Sequence, residues 1–121
     1  MALQNTSPIR LCVVQGDGIS PEIMAASLHV LRAAAAKWQI EFAFDEVEVG
    51  LKALAAQGTT FPESAFEAAK AADGIILGPV SHNDYPPADR GGINASGALR
   101  KRLDLFANIR PAKTREGFPA R

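Results

Sequence analysis

At 121 residues the chain is one domain's worth of sequence, or part of one. Apolar residues make up 47%, enough to build a core, which argues against disorder. Thirteen basic and thirteen acidic residues cancel, so no net field draws the whole molecule to nucleic acid or to an anionic membrane, and any anion recognition must be local.

Residues 1–8 read as a loose lead-in without the apolar segment or cleavage pattern of a signal peptide. No stretch is apolar for long enough to span a bilayer. Ile9 to Gln15 reads as a buried strand, rich in β-branched residues and closed by glycine. The single cysteine, Cys12, sits in the middle of that strand and reads as core filler. It cannot form an internal disulfide, which fits a reducing compartment, and a cytoplasmic location is the expectation.

Gly16-Asp17-Gly18 is a turn. Ser20 is a suitable N-cap, Pro21 suits the first helical position and Glu22 complements the helix dipole. A helix is expected from there to about Trp38. Met24, Leu28, Leu31, Ala35 and Trp38 share one face, which should be its buried one. Glu41 to Val49 reads as a second strand, and Leu51 to Gln57 as a short helix ended by Gly58. Pro62 to Ala72 is a third helix, entered through Thr60 or Phe61. Asp73 to Leu77 is a short buried strand ending at Gly78-Pro79.

A long irregular stretch runs from Val80 to about Ala95, longer than an ordinary connection. Ser96 is a candidate cap for a helix from Gly97 to Leu103, and Leu105 to Ile109 reads as a strand stopped by Pro111. Strands alternating with helices predict an α/β fold, a parallel or mixed sheet flanked by helices.

Gly16-Asp17-Gly18-Ile19-Ser20-Pro21 begins like a dinucleotide fingerprint, but Pro21 stands where the third glycine belongs. A G-x-G alone is a weak signal, and a tight strand-to-helix turn is the favoured reading of those glycines. Gly78, Pro79 and Val80 follow a buried strand at its carboxyl end, where open α/β sheets bind ligands. Arg100 and Arg110 lie ten residues apart, the first on an expected helix and the second at the end of an expected strand. A guanidinium is a planar fork that matches a carboxylate. The ordinary alternative for Arg100 is a surface pair with Asp104, with Lys101 and Arg102 as solvated neighbours. His29 and His82 have no companions at metal-ligand spacing.

Leu99-Arg100-Lys101, Asn108-Ile109-Arg110-Pro111 and Gly16-Asp17-Gly18-Ile19 together resemble the β-decarboxylating dehydrogenases of the isocitrate/isopropylmalate dehydrogenase family. The resemblance runs from about Ile9 to Lys113 and departs mildly at Ser20, where the family usually has glycine. It implies an incomplete isopropylmalate dehydrogenase-like fold, with residues 9–121 the N-terminal part of a longer domain. It implies oxidative decarboxylation of a 2-hydroxy di- or tricarboxylic acid with NAD or NADP and Mg or Mn.

By the same resemblance, Arg100 and Arg110 hold substrate carboxylates, and Asn94 and Ser96 face the substituent that distinguishes family substrates. Ile19, Gly78, Pro79 and Val80 lie by the cofactor. The catalytic tyrosine and lysine and the metal-binding aspartates have no counterparts in this chain, so the chain alone is expected to be inactive, and the parent is expected to be a homodimer. Asn94 and Ser96 are polar, which argues against a purely apolar isopropyl pocket. The alternatives are a non-catalytic anion- or nucleotide-binding α/β module and, weakened by the missing glycine, a conventional Rossmann dehydrogenase.

Overall fold

The computed structural model describes residues 7–118. Residues 1–6 of the expected lead-in lie outside the described residues. The elements run β1 (Ile9–Gln15), α1 (Ser20–Trp38), β2 (Phe42–Glu48), α2 (Leu51–Gln57), α3 (Glu63–Ala71), β3 (Gly74–Leu77) and α4 (Ala95–Arg102). Two short 3-10 turns, His82–Asp84 and Ala88–Arg90, lie between β3 and α4.

The three strands form one parallel sheet in the order β2-β1-β3. Central β1 is covered on both faces, which is why it reads as an unbroken apolar run rather than an alternation. Val13 points to α1 and packs with Met24 and Leu28. Cys12 and Val14 point the other way and pack with Ala65, Phe66 and Ala69 of α3 and Ala95 and Leu99 of α4. The period of two along the strand thus divides the core between two helical layers.

Several details depart from the sequence expectations. Ser20 does not cap α1. Ile19 occupies the N-cap position, and the buried Ser20 hydroxyl instead accepts a hydrogen bond from the Gly16 amide at 3.1 Å. Trp38, at the C-terminal end of α1, is 70% exposed; the Lys37 ammonium lies 5.7 Å from its ring centroid.

Helix α4 begins at Ala95, two residues earlier than expected, because Asn94 caps it through Oδ1, which accepts from the Gly97 amide at 3.3 Å. Leu105 to Ile109 forms no strand: a strand exists only against a partner that takes its hydrogen bonds, and this segment is exposed with no such partner beside it among the described residues.

The connection into α4 is pinned from below. Thr60 is fully buried. Its hydroxyl donates to the Ile93 carbonyl and accepts from the Ile93 amide, both at 2.7 Å, while its own amide donates to the Gly91 carbonyl at 2.9 Å. The entry to α3 falls instead to Pro62, at the N-cap position. Arg102 secures the other end of α4, with its guanidinium bidentate to Glu63 at 2.9 and 2.5 Å and 3.4 Å from the Phe66 ring centroid. It is therefore an anchor between helices, not the solvated neighbour that its position suggested.

Candidate functional site

In the order β2-β1-β3 the chain leaves β1 toward one neighbour and later returns on the other side. The carboxyl ends of β1 and β3 therefore border the point where an open α/β sheet has room for a ligand. A cleft of about 590 Å3 opens there, lined by Leu77, Gly78, Pro79 and Val80 from the end of β3, Ile23 from α1, His82 from the following turn, and Asn94, Ser96 and Arg100 from α4.

The geometry of α4 explains how three of these residues meet. Ala95 and Leu99, four apart, bury one face in the core, and Ser96 and Arg100, also four apart, form the adjacent face. The capping Asn94 completes the group. Arg100 is exposed, and its Nε donates to the Ser96 carbonyl at 3.1 Å. Its two terminal amino groups have no hydrogen-bond partner among the described residues, so the fork that a carboxylate would use is open. The alternative pair with Asp104 does not form; Asp104 takes a positive φ of 50° as the chain leaves the helix.

Six of the eight residues singled out from sequence thus line one cleft: Gly78, Pro79, Val80, Asn94, Ser96 and Arg100. Ile19 does not. It lies at the start of α1 and is 58% exposed, and Ile23, one turn further on, takes a place in the wall. Arg110 does not reach the cleft either, since it sits in the exposed segment beyond Leu105. Its expected place at a strand end falls with the strand itself. Ile23, Leu77 and His82 are wall residues that sequence reasoning did not select; the nearness of His82 to the end of β3 was the available signal.

The glycines of the G-D-G turn pack against protein. A Cβ at Gly16 would lie 1.8 Å from the Pro79 carbonyl oxygen, and one at Gly78 would lie 2.1 Å from the Ser20 Oγ. Gly16 is required because the turn is pressed against the end of β3, and Gly18 takes a positive φ of 57°. The tight-turn reading accounts for these residues, and a Rossmann-type phosphate cradle does not fit here.

Asp17, between those glycines, is the hub of the turn. Its Oδ1 accepts from the Leu51 amide at 2.8 Å and its Oδ2 from the Ser81 amide at 3.3 Å and from the Tyr85 hydroxyl. Burial raises the Tyr85 hydroxyl above its ordinary pKa, and the Asp17 carboxylate, as acceptor and as neighbouring charge, raises it further.

A second hollow of about 560 Å3 lies at the carboxyl ends of β1 and β2. There Lys52 pairs with Glu48, and the Gln15 side-chain amide donates to Glu46 at 3.3 Å, so much of its polar lining is internally matched. Among the described residues no three His, Cys, Asp or Glu side chains gather to hold a metal ion.

The sequence model of the isocitrate/isopropylmalate dehydrogenases matches residues 10–119. The chain belongs to the isocitrate/isopropylmalate dehydrogenase family. It is 40% identical over 111 residues to a 3-isopropylmalate dehydrogenase of Bacillus licheniformis, a match that covers 90% of this chain and 30% of that enzyme. To the 3-isopropylmalate dehydrogenase of Moorella thermoacetica it is 40% identical over 106 residues, covering 85% of this chain and again 30% of the relative.

Among solved structures, a β-decarboxylating dehydrogenase from Thermococcus kodakarensis in its apo form superimposes with a TM-score of 0.63 at 27% identity, over 81% of this chain and 27% of that one. The chain thus spans about 30% of the length of the family members it matches in sequence. The three parallel strands and their helices are an incomplete α/β fold of the family's isopropylmalate dehydrogenase-like type. Among the described residues no helix is long and apolar enough to cross a membrane.

Proposed function

We propose that residues 9–121 form the carboxylate-holding side, and part of the cofactor-contacting side, of an NAD(P)-dependent dehydrogenase that oxidises a 2-hydroxy di- or tricarboxylic acid and releases its β-carboxylate as CO2. The observation that carries the reading is the open guanidinium fork of Arg100 in a cleft it shares with Asn94, Ser96 and Gly78–Val80, at the carboxyl end of β3. Family membership supports the same chemistry.

In this reading Arg100 takes a substrate carboxylate through two parallel hydrogen bonds and orients the 2-hydroxy carbon for hydride loss. Arg110 joins it as a second carboxylate ligand once the segment after Leu105 is packed in the longer parent. Gly78, Pro79 and Val80, with Ile19 nearby, border the nicotinamide end of NAD or NADP. A bound Mg or Mn supplies Lewis-acid polarisation of the substrate oxygens, from ligands outside the described residues. The parent is a homodimer in this reading.

Asn94 and Ser96 set the substrate preference. A polar side chain buried against an isopropyl group without a partner costs about 1–3 kcal/mol, so the pair favours an isocitrate- or tartrate-like acid. Calorimetric titration of the chain with isocitrate, tartrate and 3-isopropylmalate tests this. Binding of the first two, weaker binding of the third and loss in Arg100→Gln are expected. Binding that survives Arg100→Gln would remove the clamp, and tightest binding of 3-isopropylmalate would reverse the substrate preference. The chain by itself is expected to give no turnover, and NADH formation from isocitrate and NAD would contradict that.

A further inference from the structure

The turn after β3 is held from outside itself. Its internal hydrogen bonds are few: the Asp84 amide donates to the Ser81 carbonyl at 2.8 Å and the Tyr85 amide to the His82 carbonyl at 3.4 Å. Three of its residues, His82, Asn83 and Asp84, are exposed. A segment so sparsely bonded opens at low cost unless something else fixes it.

Asp17 does so. The same oxygen, Oδ2, accepts from the Ser81 amide and from the Tyr85 hydroxyl, and these two residues bracket the turn His82–Asp84. The Asp17 amide also donates to the Pro79 carbonyl at 2.9 Å, and its Oδ1 is held by the Leu51 amide. One half-buried carboxylate thus fastens both ends of the turn to the sheet.

The turn carries His82 into the cleft wall, in a different segment from Arg100. No hydrogen bond engages the His82 ring among the described residues, and an imidazole in either protonation state keeps at least one N–H to donate.

We propose that His82 is a further carboxylate-contacting residue, beside Arg100 in the cleft, and that Asp17 and Tyr85 are the positioning residues that hold it there. The inference rests on the carboxylic-acid reading of the cleft. Arg100 grips one carboxylate; His82 donates to another carboxylate of the same molecule. The cleft therefore selects di- and tricarboxylates over monocarboxylates, and the selectivity depends on the tie between Asp17 and Tyr85.

The experiment is an NMR titration of the 121-residue chain with isocitrate and, separately, with the 2-hydroxy monocarboxylate lactate. Only two histidines report, and His29, on the exposed face of α1 and outside the cleft, is the internal reference. Isocitrate is expected to shift the His82 ring signals saturably and leave those of His29 in place.

His82→Ala should weaken isocitrate about 3- to 10-fold, the size of one such hydrogen bond, and leave lactate unchanged. Tyr85→Phe, which keeps the ring but not the tie, should lower the isocitrate-to-lactate ratio in the same direction. A merely structural role would weaken both acids alike.

Isocitrate that shifts the Asn94, Ser96 and Arg100 signals but not those of His82 would overturn this inference and leave the Arg100 clamp standing. His82→Ala acting equally on both acids would do the same. Tyr85→Phe without effect, where His82→Ala has one, would remove the positioning role. Absence of any binding would remove the carboxylic-acid reading and this inference together.

Discussion

Thr60 and Ile93 exchange two hydrogen bonds through a single hydroxyl, each 2.7 Å long, across 33 residues of sequence. Thr60 is 0% exposed, so no water can replace the hydroxyl if it is removed. The bond pair fixes the chain one residue before Asn94, and hence the start of α4 and the height at which Ser96 and Arg100 enter the cleft.

Thr60→Val keeps the shape and deletes the partner, leaving the Ile93 amide and carbonyl facing a methyl group. It should cost about 1–3 kcal/mol, read as a lower urea midpoint with an unchanged slope. Thr60→Ser restores the hydroxyl and should recover most of that loss. Equal stability of the valine and serine variants would show that these hydrogen bonds do not hold the connection.

The tie between Asp17 and Tyr85 predicts a pH dependence of definite sign. A tyrosine ordinarily ionises at about pH 10, and burial with the Asp17 carboxylate raises this one. The folded chain therefore holds the proton more tightly than the unfolded chain. The contribution is complete below about pH 10 and is lost as pH rises through the folded value.

The thermal midpoint should fall along this alkaline limb. Tyr85→Phe should start from a lower midpoint at neutral pH and lack this part of the fall. Tyr85 is the only tyrosine, so tyrosinate absorbance reports it alone. Ionisation at the ordinary value with no loss of midpoint would show that the tie is absent in solution.

Local signals located most of the fold, and the misses share a cause. β1 and β3 were legible as short apolar runs closed by Gly16 and Gly78, α1 by its apolar face after Pro21, and α2 by Gly50 and Gly58 at its two ends. Asn94, Ser96 and Arg100 were singled out through the family resemblance, and the cap and first turns of α4 bring them together. The start of α4 was misplaced because Asn94 and Ser96 are both competent caps, and only the contact of Asn94 Oδ1 with the Gly97 amide decides between them.

The tie of Asp17 to Tyr85 joins two loops 68 residues apart and has no local signature. Arg102 looked solvated because Glu63 and Phe66, its partners, belong to another helix. The expected strand at Leu105–Ile109 has the right composition and no neighbour to pair with.

Cys12 is predicted to report global opening. Its side chain is 0% exposed, and burial pushes its thiol above the ordinary range, with the Asp45 carboxylate, opposite it in the β1–β2 register, adding to the shift. The thiolate is the reactive form, so the native thiol is both inaccessible and protonated. A thiol reagent should label it at a rate set by unfolding and rise with urea in step with the loss of ellipticity. Labelling of the native chain as fast as that of the unfolded chain would contradict the buried placement of β1.

Self-association should follow from what the described surface exposes. Phe106 is fully exposed, Ile109 is 83% exposed and Leu105 is 55% exposed, all in the segment that follows α4. Leu105 also lines a hollow of about 460 Å3 along β3, next to Gly74 and Ile75. Because the strand order is β2-β1-β3, the outer edge of β3 carries unpaired backbone groups beside that hollow. An apolar segment next to an open edge is a surface for another chain to cover, and nothing in the net charge of zero opposes the approach. Sedimentation velocity should show a mass that rises with concentration. A double substitution, Phe106→Ser with Ile109→Lys, should shift the chain toward monomer without lowering its thermal midpoint, since neither side chain is buried in the monomer. Association that persists unchanged in the double variant would place the contact elsewhere, with the edge of β2 as the next surface to test by a charged substitution at its exposed positions.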